Sequence, residues 1–397
     1  MNTLTEQIVP FAKNDTPSII VHSHLRWDFV WQRPQQTHSR LAQDFAILFL
    51  EEPIYSDAGE KRLHLSVPQA NIIRAVPYLP TALRDDYDAS VLAVRSLLRE
   101  TFAADKTLAT QFKFPIFWFY TPMPAPAMLG QFRECAVVYD CMDELSQFHG
   151  APNGIAARET ALLAKADIVF TGGRKLYESK SRFHNNVHFF GCGVDVEHYA
   201  RARSPAIDIP QDVAHLQGPV AGYIGVIDER VDYDLISRLA ESNPSLQIVM
   251  VGPVVKVDPD KLPRQKNIHW MGQRDYAELP SYIKVFDVCL MPFALNEATE
   301  YINPTKTLEY LAAGKPVVST AIGDVIRNFR QFVSIAGTHE EFVERVLNAA
   351  AAPDRDVIKA GIAHAATMTW DSIVLQMKNL LDETVYARSS ARISVAS

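Results

Sequence analysis

The stretch Asn303 to Thr320, NPTKTLEYLAAGKPVVST, carries a lysine and a glutamate placed to share one face of a helix. Asn303 suits a helix cap, and Pro304 suits the first helical position, where a missing N–H costs nothing. Gly314 sits where a helix ends in a left-handed residue, and Pro316 bars continuation. Val317 and Val318 then read as a short buried strand. The pattern predicts a helix of about ten residues, roughly 15 Å long. Lys306 falls in its first turn and Glu309 one turn later. Unpaired N–H groups and the positive end of the helix dipole meet at that tip, which makes an anion site. A phosphate at the tip, with a hydroxyl-rich sugar further along the face, suits the pair. A cation in a first turn opposes the dipole, so its presence there points to an expected anion.

Other candidates also follow apolar strands. Gly225, in Tyr223-Ile224-Gly225-Val226-Ile227-Asp228-Glu229-Arg230, lets the backbone approach a phosphate, and Arg230 can fork onto one. The competing reading pairs Arg230 with Asp228 or Asp232. Gly272, Gln273 and Arg274 end another strand, with Tyr276 nearby either to stack on a ligand or to pack on the core. In the first half, His24, Arg26, Trp27 and Arg33 read as an exposed cluster, costly unless it meets a ligand. The alternative there is a helix-packing tryptophan with surface arginines. Tyr139-Asp140-Cys141-Met142-Asp143-Glu144 also follows a strand. An acid in that loop can take the proton of a hydroxyl lying within about 3 Å. Asp143 is the first candidate and Asp140 the second, with loop capping as the other use of either.

The run T-L-E-Y-L-A-A-G-K-P-V-V resembles the nucleotide-sugar-binding segment of GT-B glycosyltransferases of the family 4 (group 1) type. The RWDFVWQRPQ run is similar to bacterial glycosyltransferases of surface polysaccharide assembly. The resemblance implies that Glu309 holds the donor's ribose hydroxyls and that Asn303, Thr305 and Lys306 meet the diphosphate and sugar. It implies that Gly225 and Arg230 lie at the leaving diphosphate, that Gly272, Gln273 and Arg274 clasp the base, and that the His24 to Arg33 loop lines the acceptor side. One departure stands out. The family carries a second glutamate eight residues before the first, where this chain has Tyr301, with Glu300 one place off. Three D-x-D runs, at Asp86 to Asp88, Asp232 to Asp234 and Asp258 to Asp260, lie at or near helix starts or in a loop, where acids are favoured, and are read as structural. No metal and no cofactor is expected.

The elements that must position these residues follow from strand and helix alternation. Buried strands are expected at Ser18 to Ser23, Ala46 to Leu50, Pro115 to Tyr120, Ala136 to Asp140, Asp167 to Thr171 and Val187 to Phe190, with a strand pair at 63–76. A second series runs through Val220 to Ile227, Gln247 to Val251, Asn267 to Met271, Val288 to Pro292, Val317 to Thr320 and Phe332 to Ile335. Such alternation gives mostly parallel sheets with right-handed crossovers. The polar segment 195–218 reads as a linker. The expected organisation is α/β: two Rossmann-like doubly wound domains facing a cleft (GT-B), residues 1–200 and 201–368, and the resemblance implies that a C-terminal helix over 369–397 crosses back to the first.

At 397 residues the chain is long enough for two cores, and 48% hydrophobic with 21% charged residues is ordinary for a globular protein. The net charge of −7 argues against a nucleic-acid partner. No apolar run is long enough to span a bilayer, and MNTLTEQIVPFAKNDTP has no leader pattern. Four cysteines without metal spacing fit reduced thiols and a cytoplasmic setting. The basic run Arg174 to Asn186, with Arg201 and Arg203, is either a solvated face or a peripheral contact with anionic lipid at the inner face of a membrane. The resemblance implies a metal-independent enzyme moving a hexosyl group from a nucleotide sugar, a UDP-sugar first, to a saccharide or lipid-linked acceptor. The rival readings are an epimerase or phosphorylase on the same fold, and a catalytically silent binding subunit.

Overall fold

A computed structural model of the chain describes residues 17–148, 150–297 and 299–396. The segment read for a leader lies almost wholly outside them. Apolar runs of four to six residues between helices build two sheets, because a strand covered by helices on both faces must be apolar along its whole length. The first sheet contains β1 (Ser18–Ser23), β2 (Ala46–Glu51), β3 (Ile54–Ser56), β4 (Arg62–Gln69), β5 (Ile72–Pro80), β6 (Ile116–Phe119), β7 (Ala136–Cys141), β8 (Ile168–Thr171) and β9 (Val187–Phe189). Their order is β3-β5-β2-β1-β6-β7-β8-β9, parallel throughout, with β4 antiparallel on β5. The second contains β10 (Val220–Ile224), β11 (Gln247–Val251), β12 (Ile268–Gly272), β13 (Val288–Met291), β14 (Val317–Thr320) and β15 (Ser334–Ala336). It is fully parallel, in the order β12-β11-β10-β13-β14-β15. In both, the order reverses beside the first strand, at β1/β6 and at β10/β13. Parallel sheets hold ligands outside the carboxyl ends of their strands at such points.

The chain divides into two compact units. One comprises residues up to Gly172, Leu176–Phe190 and Val374 onward; the other comprises Gly173–Lys175 and Gly191–Ile373. The helix Trp370–Ala396 thus contributes its residues from Val374 to the first unit, where Met377 and Leu381 are buried. No helix among the described residues is long and apolar enough to cross a membrane.

Two local expectations change, and one short strand goes unread. The key helix spans Lys306–Ala312, seven residues rather than ten, with Thr305 before it, so Asn303 and Pro304 precede the helix instead of opening it. The segment read as a linker is packed: Val196–Ala200 is helical, and Tyr199, Ala202 and Val213 join the core of the second unit. Lys284 Nζ donates to the carbonyls of Ser204, Pro205 and Ile207, which anchors that polar stretch without any helical period. β3, only three residues long and half-buried, left no apolar run to read.

Candidate functional site

In the second unit the candidates gather where β10 and β13 end. Gly225 follows β10 with φ +145°, a conformation open to glycine, and its N–H donates to the Val251 carbonyl at 2.8 Å. A β-carbon there would fall on Cε and Nζ of Lys306, so the absent side chain leaves the lysine its path. The helix carrying Lys306 is locked to β10 through Tyr310, whose hydroxyl accepts the Ile224 N–H at 2.8 Å. Lys306 Nζ lies 5.4 Å from the Tyr223 ring centre and 6.0 Å from that of Phe293. Among the described residues no carboxylate is in ion-pair contact with it. Burial pushes the amine below its ordinary pKa and Arg230 adds to that, while Glu309, Asp228 and Cys192 oppose it. Burial raises the Glu309 carboxyl, against Lys306 and the hydroxyls of Tyr199 and Thr305, which bond it. A half-buried cation facing rings and a second cation, beside a half-buried acid, is an arrangement that a bound anion with neighbouring hydroxyls would complete.

Arg230 is within electrostatic reach of Lys306, but its guanidinium forks onto Asp228, with Nε at 3.0 Å and Nη2 at 2.7 Å. It therefore reaches the site already paired, as the competing sequence reading had it. Asn303 accepts a bond from Cys192 Sγ through its carbonyl at 3.1 Å. Gly272 meets the neighbouring strand end, its carbonyl accepting the Gly252 N–H at 2.9 Å. Arg274 does not fit the role expected of it. Its guanidinium bonds the Tyr282 hydroxyl at 2.6 Å, Asp212 at 2.8 Å and the Gln273 carbonyl at 2.9 Å, which ties it to its own surroundings. Gln273 is exposed, and the Tyr276 ring is covered by His198, stacked at 4.0 Å. Glu300 forms an ion pair with Lys175, and Lys175 also lies 5.9 Å from the Tyr301 ring centre.

In the first unit the expected exposed cluster is largely interior. Trp27 is 5% exposed and packs edge-on against Trp31 and Phe49. Arg33 is 4% exposed and pairs at 2.9 Å with Asp140, which is wholly buried. Asp140 is thus withdrawn as a proton acceptor, and Arg33 as an acceptor-side group. Both are held inside because helix Arg33–Leu41 lies over the sheet, facing β7. Arg26 is half-buried and bonds Glu51 and the carbonyls of Glu52 and Pro53. His24 and Asp143 remain half-buried in strand-end loops. The loop of Asp143 is tethered by Glu144, which with Glu159 clamps the buried Lys180 at 2.8 Å each. Lys180 therefore leaves the basic run read as a solvated or lipid-facing surface. The D-x-D acids have local partners: Asp86, Asp232 and Asp258 accept backbone N–H groups at helix starts, and Asp88, Asp234 and Asp260 pair with Arg158, Arg238 and Arg264.

Comparison with known proteins defines the class. Residues 219–351 match the family described as Glycosyl transferases group 1, and the match includes Gly225, Arg230, Lys306 and Glu309. The chain therefore carries a glycosyl transferases group 1 domain, and its two parallel-sheet α/β units are those of the GT-B fold. It is 28% identical over 233 residues to the "Putative teichuronic acid biosynthesis glycosyltransferase TuaH" of Bacillus subtilis (strain 168), covering 54% of this chain and 57% of that protein. It is 24% identical over 202 residues to the "D-inositol 3-phosphate glycosyltransferase" of Mycobacterium leprae (strain Br4923), covering 45% of each. The chain thus spans about half the length of the curated relatives it matches. Among solved structures, the sucrose-phosphate synthase of Thermosynechococcus elongatus superposes with TM-score 0.71 at 15% identity, covering 94% of this chain and 100% of that one. HepE of Anabaena in complex with UDP and glucose superposes with TM-score 0.65 at 12% identity, covering 92% and 100%. At those identities the likeness shows the fold.

Proposed function

We propose that this protein is a glycosyltransferase moving a hexosyl group from a nucleotide sugar, a UDP-sugar first, to a saccharide or lipid-linked acceptor in surface polysaccharide synthesis. The observation that carries the reading is Lys306, half-buried with its amine lowered and, among the described residues, no carboxylate in ion-pair contact, beside the raised Glu309 in a group 1 domain. The likeness to a teichuronic acid glycosyltransferase and to a structure holding UDP and glucose supports the surface-polymer and UDP-sugar parts.

In the reaction the anomeric carbon–oxygen bond to the diphosphate breaks through an oxocarbenium-like state. Lys306, with the Asp228-held Arg230 behind it, stabilises the charge arriving on the leaving diphosphate. Glu309 accepts from the ribose hydroxyls, and the Tyr199 and Thr305 hydroxyls fix its carboxylate. If configuration inverts, Asp143 takes the acceptor's proton; if it is retained, the departing phosphate takes it. Because the D-x-D acids cap helices or pair with arginines, the leaving charge falls to Lys306 and Arg230, and transfer is expected to persist in EDTA. The test is release of UDP from UDP-glucose and UDP-galactose by purified protein, with and without an extract of the polymer's lipid-linked precursors. Acceptor-dependent release supports the reading. Nucleotide binding without any release points to a silent subunit.

A further inference from the structure

Away from the donor side, the first unit has a cavity of about 40 Å³ at the carboxyl ends of β1 and β2, beside Thr121 just past β6. This is the point where the strand order reverses. Its walls are chiefly Leu50, Val91, Val94, Pro124 and Met128. Most polar groups in the lining are already engaged. Glu51 accepts from Trp27 N–H at 2.8 Å, from Arg74 Nε at 2.7 Å and from Arg26 at 3.0 Å. The Tyr55 hydroxyl donates to Ser90 Oγ, which donates to the Leu83 carbonyl. Ser23 Oγ donates to the Leu25 carbonyl. Among the described residues, one fully buried side-chain atom of the lining lacks a hydrogen-bond partner: Nε2 of His22, whose ring stacks on Phe119 at 4.5 Å.

Size and chemistry narrow the occupant. A water needs about 10–15 Å³ on this scale, so the space suits roughly three or four non-hydrogen atoms. That is too small for a sugar ring and too short for a lipid tail. A water there would find one open partner where it needs two to four. An anion would meet the acidic residues Glu51 and Glu52, and a metal ion would find no group of three ligating side chains among the described residues. The fit is a short neutral group with an apolar end and one hydrogen-bonding end.

We propose that this cavity is a specificity pocket for a short uncharged acyl group, brought by an acceptor as the acetamido group of an acylamino sugar. The methyl would lie against Val91, Val94 and Met128, and the amide would engage His22 Nε2. That the bearer is an acceptor rests on the transferase reading; the pocket itself does not.

The experiment is saturation-transfer NMR on the full chain with N-acetyl-D-glucosamine and N-acetyl-D-galactosamine, using D-glucose and D-glucosamine as controls. The expected result is strongest saturation at the acetyl methyl and no comparable signal from the controls. Val94→Phe should remove it by filling the space, and His22→Phe, which keeps the stacking, should weaken binding about 2–10-fold for one lost hydrogen bond. UDP affinity of both variants, measured by titration calorimetry, should match wild type, and a retained near-UV circular dichroism spectrum reports that the first unit, which holds both substitutions, is folded. Equal saturation of glucose, or a methyl signal that survives both variants, overturns the pocket. Intact UDP binding with no acetyl contact also overturns it. Acetyl contact without any UDP binding would leave the pocket standing and sink the transferase reading instead.

Discussion

The end of Lys306 lies over Gly225, in the space a β-carbon on that residue would occupy. One position thus sets the course of the other's charge. Gly225→Ala should displace the ammonium and strain a φ of +145°, at a cost of about 1–3 kcal/mol in stability. Lys306→Gln should leave stability unchanged or raised, since a desolvated cation is removed, yet cut turnover about 10²-fold. Thermal unfolding without nucleotide beside turnover at saturating donor separates the two. Full turnover in Lys306→Gln would remove the phosphate role and leave Arg230 in charge of the leaving group.

The role proposed for Glu309 is to hold the donor's ribose. Glu309→Ala should weaken UDP binding by about 1.5–3 kcal/mol, the range for a hydrogen bond to a charged group. Calorimetric titration reads this directly, and an unchanged affinity in a folded variant ends the assignment. Tyr199→Phe should show a smaller loss in the same direction, because it removes only one of the groups holding the carboxylate.

What the chain order disclosed and what it hid divides along physical lines. Buried parallel strands are continuous apolar runs, so β1, β11 and β14 were legible to the residue. Lys306 and Glu309 were legible because helical spacing alone puts them on one face. Tyr199 was not, since it sits in a polar segment without period and meets Glu309 only through tertiary packing. Nor was the fate of Arg33, whose partner Asp140 lies 107 residues away. An arginine near an apparent loop reads as exposed until a fully buried carboxylate claims it. Arg274 misled for the same reason, its partners Asp212 and Tyr282 lying in other segments.

That buried pair makes Asp140 and Asp143 behave oppositely. Asp140→Asn should destabilise the first unit by about 3–5 kcal/mol, because it leaves Arg33 charged and buried without its partner. The double variant Arg33→Met with Asp140→Leu should recover much of that loss. Asp143→Asn should instead keep its unfolding midpoint in urea and, if configuration inverts, lose about 10²–10⁴-fold in transfer. A stable Asp140→Asn with reduced turnover would restore Asp140 to the reaction.

The last expectation concerns acid. Burial pushes His22 and His38 down to a pKa of about 3, so both are neutral in the folded chain at physiological pH. In the unfolded chain each returns to about 6.5. Between those values the unfolded state binds more protons than the folded one, so stability rises with pH through that window and falls on acidification. Nothing is lost from these two groups above about pH 7, and the loss grows as pH drops from 6.5 toward 3. At pH 5 each should cost about 2 kcal/mol relative to neutral pH. Burial is the cause in both cases: His22 packs on Phe117 and Phe119, and His38 on Phe49, Trp118 and Tyr120. The measurement is the unfolding free energy in urea at pH 7.5, 6 and 5 for wild type and for His38→Phe. The variant's slope should be smaller by up to one proton's worth, about 1.4 kcal/mol per pH unit, whatever its stability at neutral pH. A slope unchanged in the variant would mean that His38 takes up its proton inside the fold.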